Sequence, residues 1–341
     1  MRFNASKFKV AVAQNAMFVA LVLLILLFSL LGPRFLSPEN INAILSQIAE
    51  LGIIALAMAF LLMMGSVDLS VGSVAACAAV IAGITMQGTG NVLLGVLAGI
   101  GFGIFAGCVN GILVSFLKLN ALVVTIGFLS AWSGLAYLLT NGQTIAGLPQ
   151  SFTAFSQFRP LGIPIQVLLL LVAIVVAWWL LNRTAVGRQV LATGGNERAA
   201  YLMGVRVRSI RFVGFVVTGA IAGLVGLMLG AKLHAFSPGV GVGLEISVLI
   251  VVLLGGVAFD GGSGRISGVV VGLVFYGVLR NGLQLLGVPG YLQTFLIGLT
   301  LVLAVAVDGS IQRLVRTAWA SGVSKVRRAP ATPVAAEKPQ G

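Results

Sequence analysis

The sequence predicts an all-α integral membrane protein with about ten transmembrane helices and with both termini in the cytoplasm. Hydrophobic residues make up 59% of the chain and charged residues only 9%, which excludes an ordinary soluble domain. Apolar runs of about 20 residues, the length that crosses a bilayer core, recur along the sequence. The Lys and Arg residues that give a net charge of +13 lie mostly between or beyond these runs, as the positive-inside rule predicts.

Ten apolar runs divide the chain. They cover residues 14–32, 41–63, 70–88, 91–117, 120–140, 163–182, 212–231, 244–259, 266–287 and 291–307. A signal peptide is the alternative for the first run, but its length and the lack of an Ala-x-Ala-like site after it favour a retained helix. We therefore expect a cytoplasmic N-terminus at 1–13, a membrane domain at 14–310 and a basic, disordered cytoplasmic tail at 311–341.

The composition also excludes several functional classes. The basic residues are spread among loops and do not form a nucleic-acid-binding patch. Cys77 and Cys108 lie inside apolar runs, where they are interpreted as small buried side chains. The single histidine, His234, cannot build a histidine metal site, so we expect neither a metal nor another bound cofactor. The sequence has no G-x-x-x-x-G-K-S/T stretch and therefore no P-loop ATPase of its own.

A polar stretch, MGSVDLSVGS at residues 64–73, separates the second and third runs. An unpaired charge buried at this depth is costly. We interpret Asp68 or Ser70 as the N-terminal cap of the third helix. The alternative is a hinge or a contact that the function uses.

Glycines recur at every fourth position of the fourth run, at Gly95, Gly99, Gly103, Gly107 and Gly111. In lipid there is little hydrophobic force between helices, so small residues that let backbones approach closely favour packing. The spacing predicts a tight contact between this helix and a neighbour.

Residues 183–211 form a polar loop with six arginines and one acid, Glu197, which the positive-inside rule places in the cytoplasm. A short helix of about two turns is predicted at its centre. Asn196 can cap its free N–H groups, Glu197 places a negative charge at its N-terminus, and Gly204 can end it in left-handed geometry. Because so short a helix is unstable alone in water, we expect it to rest at the bilayer interface or in a groove of another protein.

The pattern E-x-A-A-x-x-x-G in this loop resembles the coupling loop of ABC importer permeases, which docks into the ATPase subunit. Other stretches resemble the permease subunits of bacterial monosaccharide ABC importers of the ribose, xylose and arabinose type. The matching stretches are 64–73, 110–135, 140–149, 187–205, 237–272 and 281–289. The sequence departs from the family pattern at Ala121, where the family usually has proline after Leu-Asn, and at Asp260, where an apolar residue is common.

The resemblance implies a multi-pass protein of the bacterial inner membrane that works with partners. A second permease chain, in a homodimer, would complete the translocation path, and a periplasmic binding protein would deliver the sugar. ATP would be bound and hydrolysed by separate ATPase subunits docked on the short helix. The residues expected at that contact are Asn196, Glu197, Arg198, Ala199, Ala200 and Gly204.

A sugar path needs neutral hydrogen-bonding groups that hold the solute weakly enough to release it. The candidates inside or beside the apolar runs are Asn110, Asn120, Thr125, Asn281 and Gln284. For each of them the alternative is an interhelical hydrogen bond.

Three other functions are weighed against sugar import. An ion-coupled secondary transporter should carry ionisable groups at mid-membrane, and the sequence suggests only Arg280, without an acid clearly at that depth. An intramembrane enzyme would need a nucleophile or metal constellation, and no catalytic residue is expected. A branched-chain amino-acid permease of the same fold would have to hold a zwitterion, whereas the neutral polar set favours a sugar.

Overall fold

The apolar runs form helices because, in lipid, a chain can satisfy its backbone N–H and C=O groups only in helices or closed barrels. The computed structural model describes residues 16–300 and residue 302. Within these residues the regular elements are helices, apart from one isolated antiparallel bridge between Ile145 and Phe236.

Twelve α-helices have defined bounds in the described part of the chain. They are α1 (Ala16–Leu31), α2 (Pro38–Met63), α3 (Val71–Thr89), α4 (Val92–Ser115), α5 (Ala121–Thr140), α6 (Gln150–Gln157), α7 (Ile165–Arg183), α8 (Ala185–Gly195), α9 (Glu197–Leu202), α10 (Val207–Leu233), α11 (Leu244–Leu254) and α12 (Ile266–Leu285). Residues 290–300 are also helical.

Seven of these helices, α2, α3, α4, α5, α7, α10 and α12, are long and apolar enough to cross a membrane. The prediction of an all-α membrane protein is therefore confirmed. The α1 and α11 helices are apolar but shorter. The expectations for residues 1–13 and 311–341 lie outside the described residues.

Several boundaries differ from the sequence prediction. The run at 244–259 is helical only as far as Leu254, because the glycines that follow allow the chain to turn. The α10 helix begins at Val207, inside the basic loop, and α8 adds a second helix to that loop. The segment between the fifth and sixth apolar runs contains the short helix α6. Hydropathy identifies the apolar core of a helix but not the polar turns that extend it.

The α3 helix packs against α4, α5 and α10 and is largely buried. It contains many small residues, so the neighbouring helices can approach it closely. Cys77 lies fully buried within it, while Cys108 on α4 is half-buried, and both thiols are free. This agrees with their interpretation as small apolar side chains.

The glycines of α4 pack directly against α10. A Cβ added at Gly103 would press on the carbonyl oxygen of Gly219 and lie 3.1 Å from the Cα of Gly223. One added at Gly107 would lie 2.9 Å from the Cα of Val216. The predicted tight helix–helix contact is therefore confirmed, with α10 as the partner.

Three distant segments meet where α2 ends. The backbone N–H of Gly262 donates to the carbonyl oxygen of Met63 at 2.9 Å. A Cβ at Gly194 would press on that carbonyl and lie 2.5 Å from the nitrogen of Gly262. Gly194 lies at the end of α8, two residues before the cap of α9. This junction therefore fixes α9 relative to α2 and to the turn before α12.

Candidate functional site

The α9 helix has both of the ends that the sequence predicts. The side-chain oxygen of Asn196 accepts a hydrogen bond from the backbone N–H of Ala199 at 2.9 Å, which caps the helix. Gly204 follows the helix with φ +84°, a conformation that favours glycine. Glu197 pairs with Arg211 on α10 at 2.9 Å. With six residues, α9 is slightly shorter than the expected two turns.

The far side of α9 carries an exposed apolar tip, formed by Tyr201, Leu202 and Met203. Their exposed fractions are 71%, 76% and 84%. Ala200 is only 4% exposed and faces the rest of the protein, while Arg198 and Ala199 are exposed. Three adjacent exposed apolar side chains fit both expectations for this helix, contact with the bilayer interface and contact with a groove of another protein.

A polar cluster lies buried between α3 and α4. Asp68 is 1% exposed, and its carboxylate accepts hydrogen bonds from the backbone N–H and the hydroxyl of Ser70, at 2.9 and 2.6 Å. The side-chain amide of Asn110 donates to Asp68 at 3.2 Å and to Ser70 at 2.8 Å. Burial raises the pKa of the Asp68 carboxyl, and these hydrogen bonds oppose that rise.

This cluster corrects the capping interpretation of Asp68 and Ser70. Ser70 stands just before α3, but its side chain makes no capping hydrogen bond. Its hydroxyl is turned instead toward Asp68, because a buried carboxylate needs donors more than the helix end needs a cap. The cluster ties the 64–70 segment to α4 through Asn110.

The five candidate path residues do not converge on one site. Asn110 is fully buried in the cluster just described, and Thr125, also fully buried, donates to the carbonyl of Ala121 one turn earlier. Asn120 caps α5 and is exposed. The described hydrogen bonds of Thr125 and Asn120 are therefore local, whereas Asn110 bonds to a segment outside its own helix, as the alternative for that residue proposed.

The two path candidates on α12 face α2. Asn281 is buried and accepts a hydrogen bond from the side chain of Asn40 at 3.0 Å. Gln284, one turn later and exposed, accepts one from Gln47 at 3.2 Å. These two bonds fasten α12 to α2.

The sequence prediction missed a buried acid. Glu50 lies inside the second apolar run, is 3% exposed and pairs with Lys232 at 3.1 Å. The Lys232 ammonium also donates to the carbonyl of Ser46 at 2.7 Å. A search for acids inside apolar runs would have found Glu50, but its partner lies 182 residues away in the sequence.

Lys232 also borders a polar cleft. Its lining includes Ser46, Gln157, Arg159, Gln166 and His234. The side chains of Gln157 and His234 lie 3.2 Å apart. The cleft joins the ends of α6 and α10 to the start of α7, at the opposite end of α10 from the α9 tip.

A comparison with known families identifies the family of the chain. The family model described as "Branched-chain amino acid transport system / permease component" matches residues 40–305. The chain belongs to this permease family. The match covers all seven long helices except the first two residues of α2, so this permease is a multi-pass membrane protein.

Individual relatives of this permease are named for sugars. The ribose import permease protein RbsC of Bacillus subtilis is 35% identical over 85% of this chain and 91% of that protein. The L-arabinose ABC transporter permease protein AraH of Azospirillum brasilense is 37% identical over 85% and 86%. RbsC of Escherichia coli K12 is 34% identical over 86% and 93%. No solved structure matches this permease.

Proposed function

We propose that this permease is the membrane subunit of an ATP-binding cassette importer and forms the path for a monosaccharide. The single observation that carries the proposal is the similarity, over nearly the full length of both chains, to permeases named for ribose and L-arabinose. Several neutral polar side chains lie in or beside the membrane helices, which suits a solute rich in hydroxyl groups.

The α9 tip is the surface on which the ATPase subunits dock. The helix is capped, paired to α10 through Glu197 and Arg211, and held by the glycine junction at Met63. A force that the ATPase applies to the exposed apolar side chains would therefore be transmitted to α2 and α10, because these contacts hold α9 in place. ATP binds on those partner subunits, and this chain needs no cofactor.

The topology that fits this arrangement has ten membrane segments and cytoplasmic termini. Seven long helices, the two shorter apolar helices α1 and α11, and helical residues 290–300 supply ten segments. In this topology the basic loop with the α9 tip faces the cytoplasm. The polar cleft beside Lys232 then faces the periplasm, where a binding protein delivers the sugar. Among the five path candidates, the exposed residues Asn120 and Gln284 are those that a solute could reach.

A second copy of the chain completes the path. Much of α5 is exposed in the single chain, including the surroundings of Gly127 and Gly134, where an added Cβ would meet no atom within 4 Å. Small residues on an uncovered membrane helix favour close packing of another helix. A homodimer would cover this face.

Gentle purification of the tagged permease from native membranes tests the assembly. We expect a P-loop ATPase in comparable amount and a periplasmic protein that binds D-ribose, L-arabinose or a related sugar in a direct ligand screen. Two differently tagged copies should purify together if the permease is a homodimer. Purification of the permease alone in several mild detergents would contradict the proposal and favour an ion-coupled transporter.

A pair of variants assigns the docking surface. Leu202→Asp places a charge on the α9 tip and should reduce the co-purified ATPase about tenfold, because an apolar contact would then bury an unpaired carboxylate. Phe158→Asp is the matched control, since Phe158 is also an exposed apolar residue, at 58%, but lies beside the polar cleft. Equal loss of ATPase from both variants would remove the tip from the mechanism.

A further inference from the structure

The segment 237–243, which lies between the seventh and eighth apolar runs, enters the membrane-embedded part of the permease. The α11 helix begins directly after it, and Ser247 in its first turns accepts a hydrogen bond from the hydroxyl of Tyr276 at 3.0 Å. Tyr276 lies ten residues after Ile266, the start of α12, which is about 15 Å along a helix. The α11 helix therefore begins about halfway across a bilayer core that is about 30 Å thick.

The same segment lies against the start of α3. A Cβ added at Gly241 would press on the carbonyl of Gly72, and one at Gly72 would press on Gly241 and on the carboxylate of Glu245. Only glycine at both positions permits this approach. The contact brings the non-helical backbone of 237–243 beside the first turn of α3.

This non-helical backbone is not fully covered by the described chain. Val242 is 76% exposed, and Ile246, one turn further along α11, is 50% exposed. Irregular backbone at membrane depth is tolerated only where it is buried in protein or lines a water-filled cavity, since lipid cannot satisfy its polar groups. The face that carries Val242 therefore does not contact lipid.

A shallow recess on this face has a mostly apolar lining that also contains three polar side chains. Its lining includes Ser73 on α3, Ser133 on α5 and Glu245 on α11. The Glu245 carboxylate accepts a hydrogen bond from the backbone N–H of Gly243 at 3.2 Å, and it forms no salt bridge within the described residues. An ionisable side chain at this depth without a counter-ion is typical of a functional site.

We propose that Glu245, with the hydroxyls of Ser73 and Ser133, forms a binding position for the transported sugar midway along a water-filled path. This inference rests on the proposed function and deepens it. A carboxylate accepts hydrogen bonds from two sugar hydroxyls. The hydroxyl of Ser73 donates to the carbonyl of Ser70 at 2.9 Å and can accept from the sugar, while that of Ser133 can donate or accept. These three polar groups come from three helices and contact only one side of the sugar. Binding is therefore weak enough to allow release.

Labelling with a charged, water-soluble methanethiosulfonate tests whether the recess is wet, whatever the permease transports. Val242→Cys is made in a Cys77→Ala, Cys108→Ala background and labelled in the assembled transporter with its ATPase. We expect it to react at least tenfold faster than the control Leu23→Cys, an exposed residue on the apolar helix α1. Equal, slow labelling at both positions would overturn the proposal.

Uptake of D-ribose and of L-arabinose into proteoliposomes tests the carboxylate. Glu245→Gln keeps the side-chain shape and should lower uptake about tenfold, while the ATPase stimulation by the loaded binding protein stays near the unsubstituted level. Glu39→Gln, at an exposed acid in the first turn of α2, should leave both unchanged. Full uptake in Glu245→Gln and Glu245→Ala would overturn the proposed role of Glu245.

The two measurements separate this inference from the proposed function. An unsubstituted transporter that takes up neither sugar, while Val242→Cys reacts rapidly, would refute the choice of sugar but support the water-filled recess. Slow labelling in a transporter that does take up ribose or arabinose would support sugar import and overturn the recess.

Discussion

Replacing Gly103 by leucine should separate α4 from α10 and destabilise the bundle. An added Cβ alone would press on the carbonyl of Gly219 and lie 3.1 Å from the Cα of Gly223. Both of these atoms belong to the backbone of α10, so no flexible side chain can move aside. The helices themselves must shift, and glycine–glycine contact along this face is lost.

The size of the effect follows from that geometry. Overpacking of a close-packed site costs roughly 1–3 kcal/mol, and the upper part of this range applies because a whole helix must shift. A change of 1 kcal/mol moves the melting temperature of a medium-sized protein by roughly 2–4 °C. We therefore expect the Gly103→Leu variant to melt about 5–10 °C lower in detergent.

Gly101→Leu is the matched control for this measurement. Gly101 lies on the same helix, but a Cβ added there would meet no atom within 4 Å. Both substitutions make the same gain in helix propensity, so only the contact with α10 differs. Thermal unfolding is followed by the loss of the monodisperse peak in size-exclusion chromatography. Equal melting temperatures for the two variants would refute the packing argument.

Three further changes test α9 and the buried polar groups. Gly204→Arg forces a side chain into φ +84° beside the docking tip, so membrane insertion should persist while the yield of co-purified ATPase falls severalfold; normal ATPase recovery would argue against α9. Lys232→Met leaves the buried Glu50 without its cation and should destabilise the permease by about 1–3 kcal/mol. This is less than for a fully buried pair, because the Lys232 side chain is 37% exposed, and adding Glu50→Gln should restore most of the melting temperature. Asn110→Leu removes donors from the buried Asp68 carboxylate and should cost about 2 kcal/mol; an unchanged melting temperature would show that Asp68 finds other donors.

The sequence predicted local features well where one short stretch carries the whole physical cause. Asn196 caps α9, and Gly204 ends it in left-handed geometry, because both effects depend on neighbours within a few residues. The glycine spacing of α4 predicted close helix packing for the same reason. The partner helix could not be read from that spacing, since it depends on which helix lies opposite.

The polar residues of the membrane helices were predicted less well. Asp68 was interpreted as a possible cap, but its carboxylate is held by Ser70 and by Asn110, which lies on another helix. Glu50 was overlooked, and its partner Lys232 comes from the far end of α10. Hydropathy averages over a window, so a single acid inside an apolar run leaves almost no signal.

The sequence by itself determined the helical membrane class, the basic loop and the ends of α9, because apolar length, charge distribution and capping are properties of short segments. The tertiary structure alone decided that α10 fills the glycine face of α4, and that residues 237–243 pass into the bundle to place Glu245 beside Gly72. These contacts join segments far apart in the chain. They depend on which backbones approach closely enough to exclude a side chain, and that is settled only when the helices pack together.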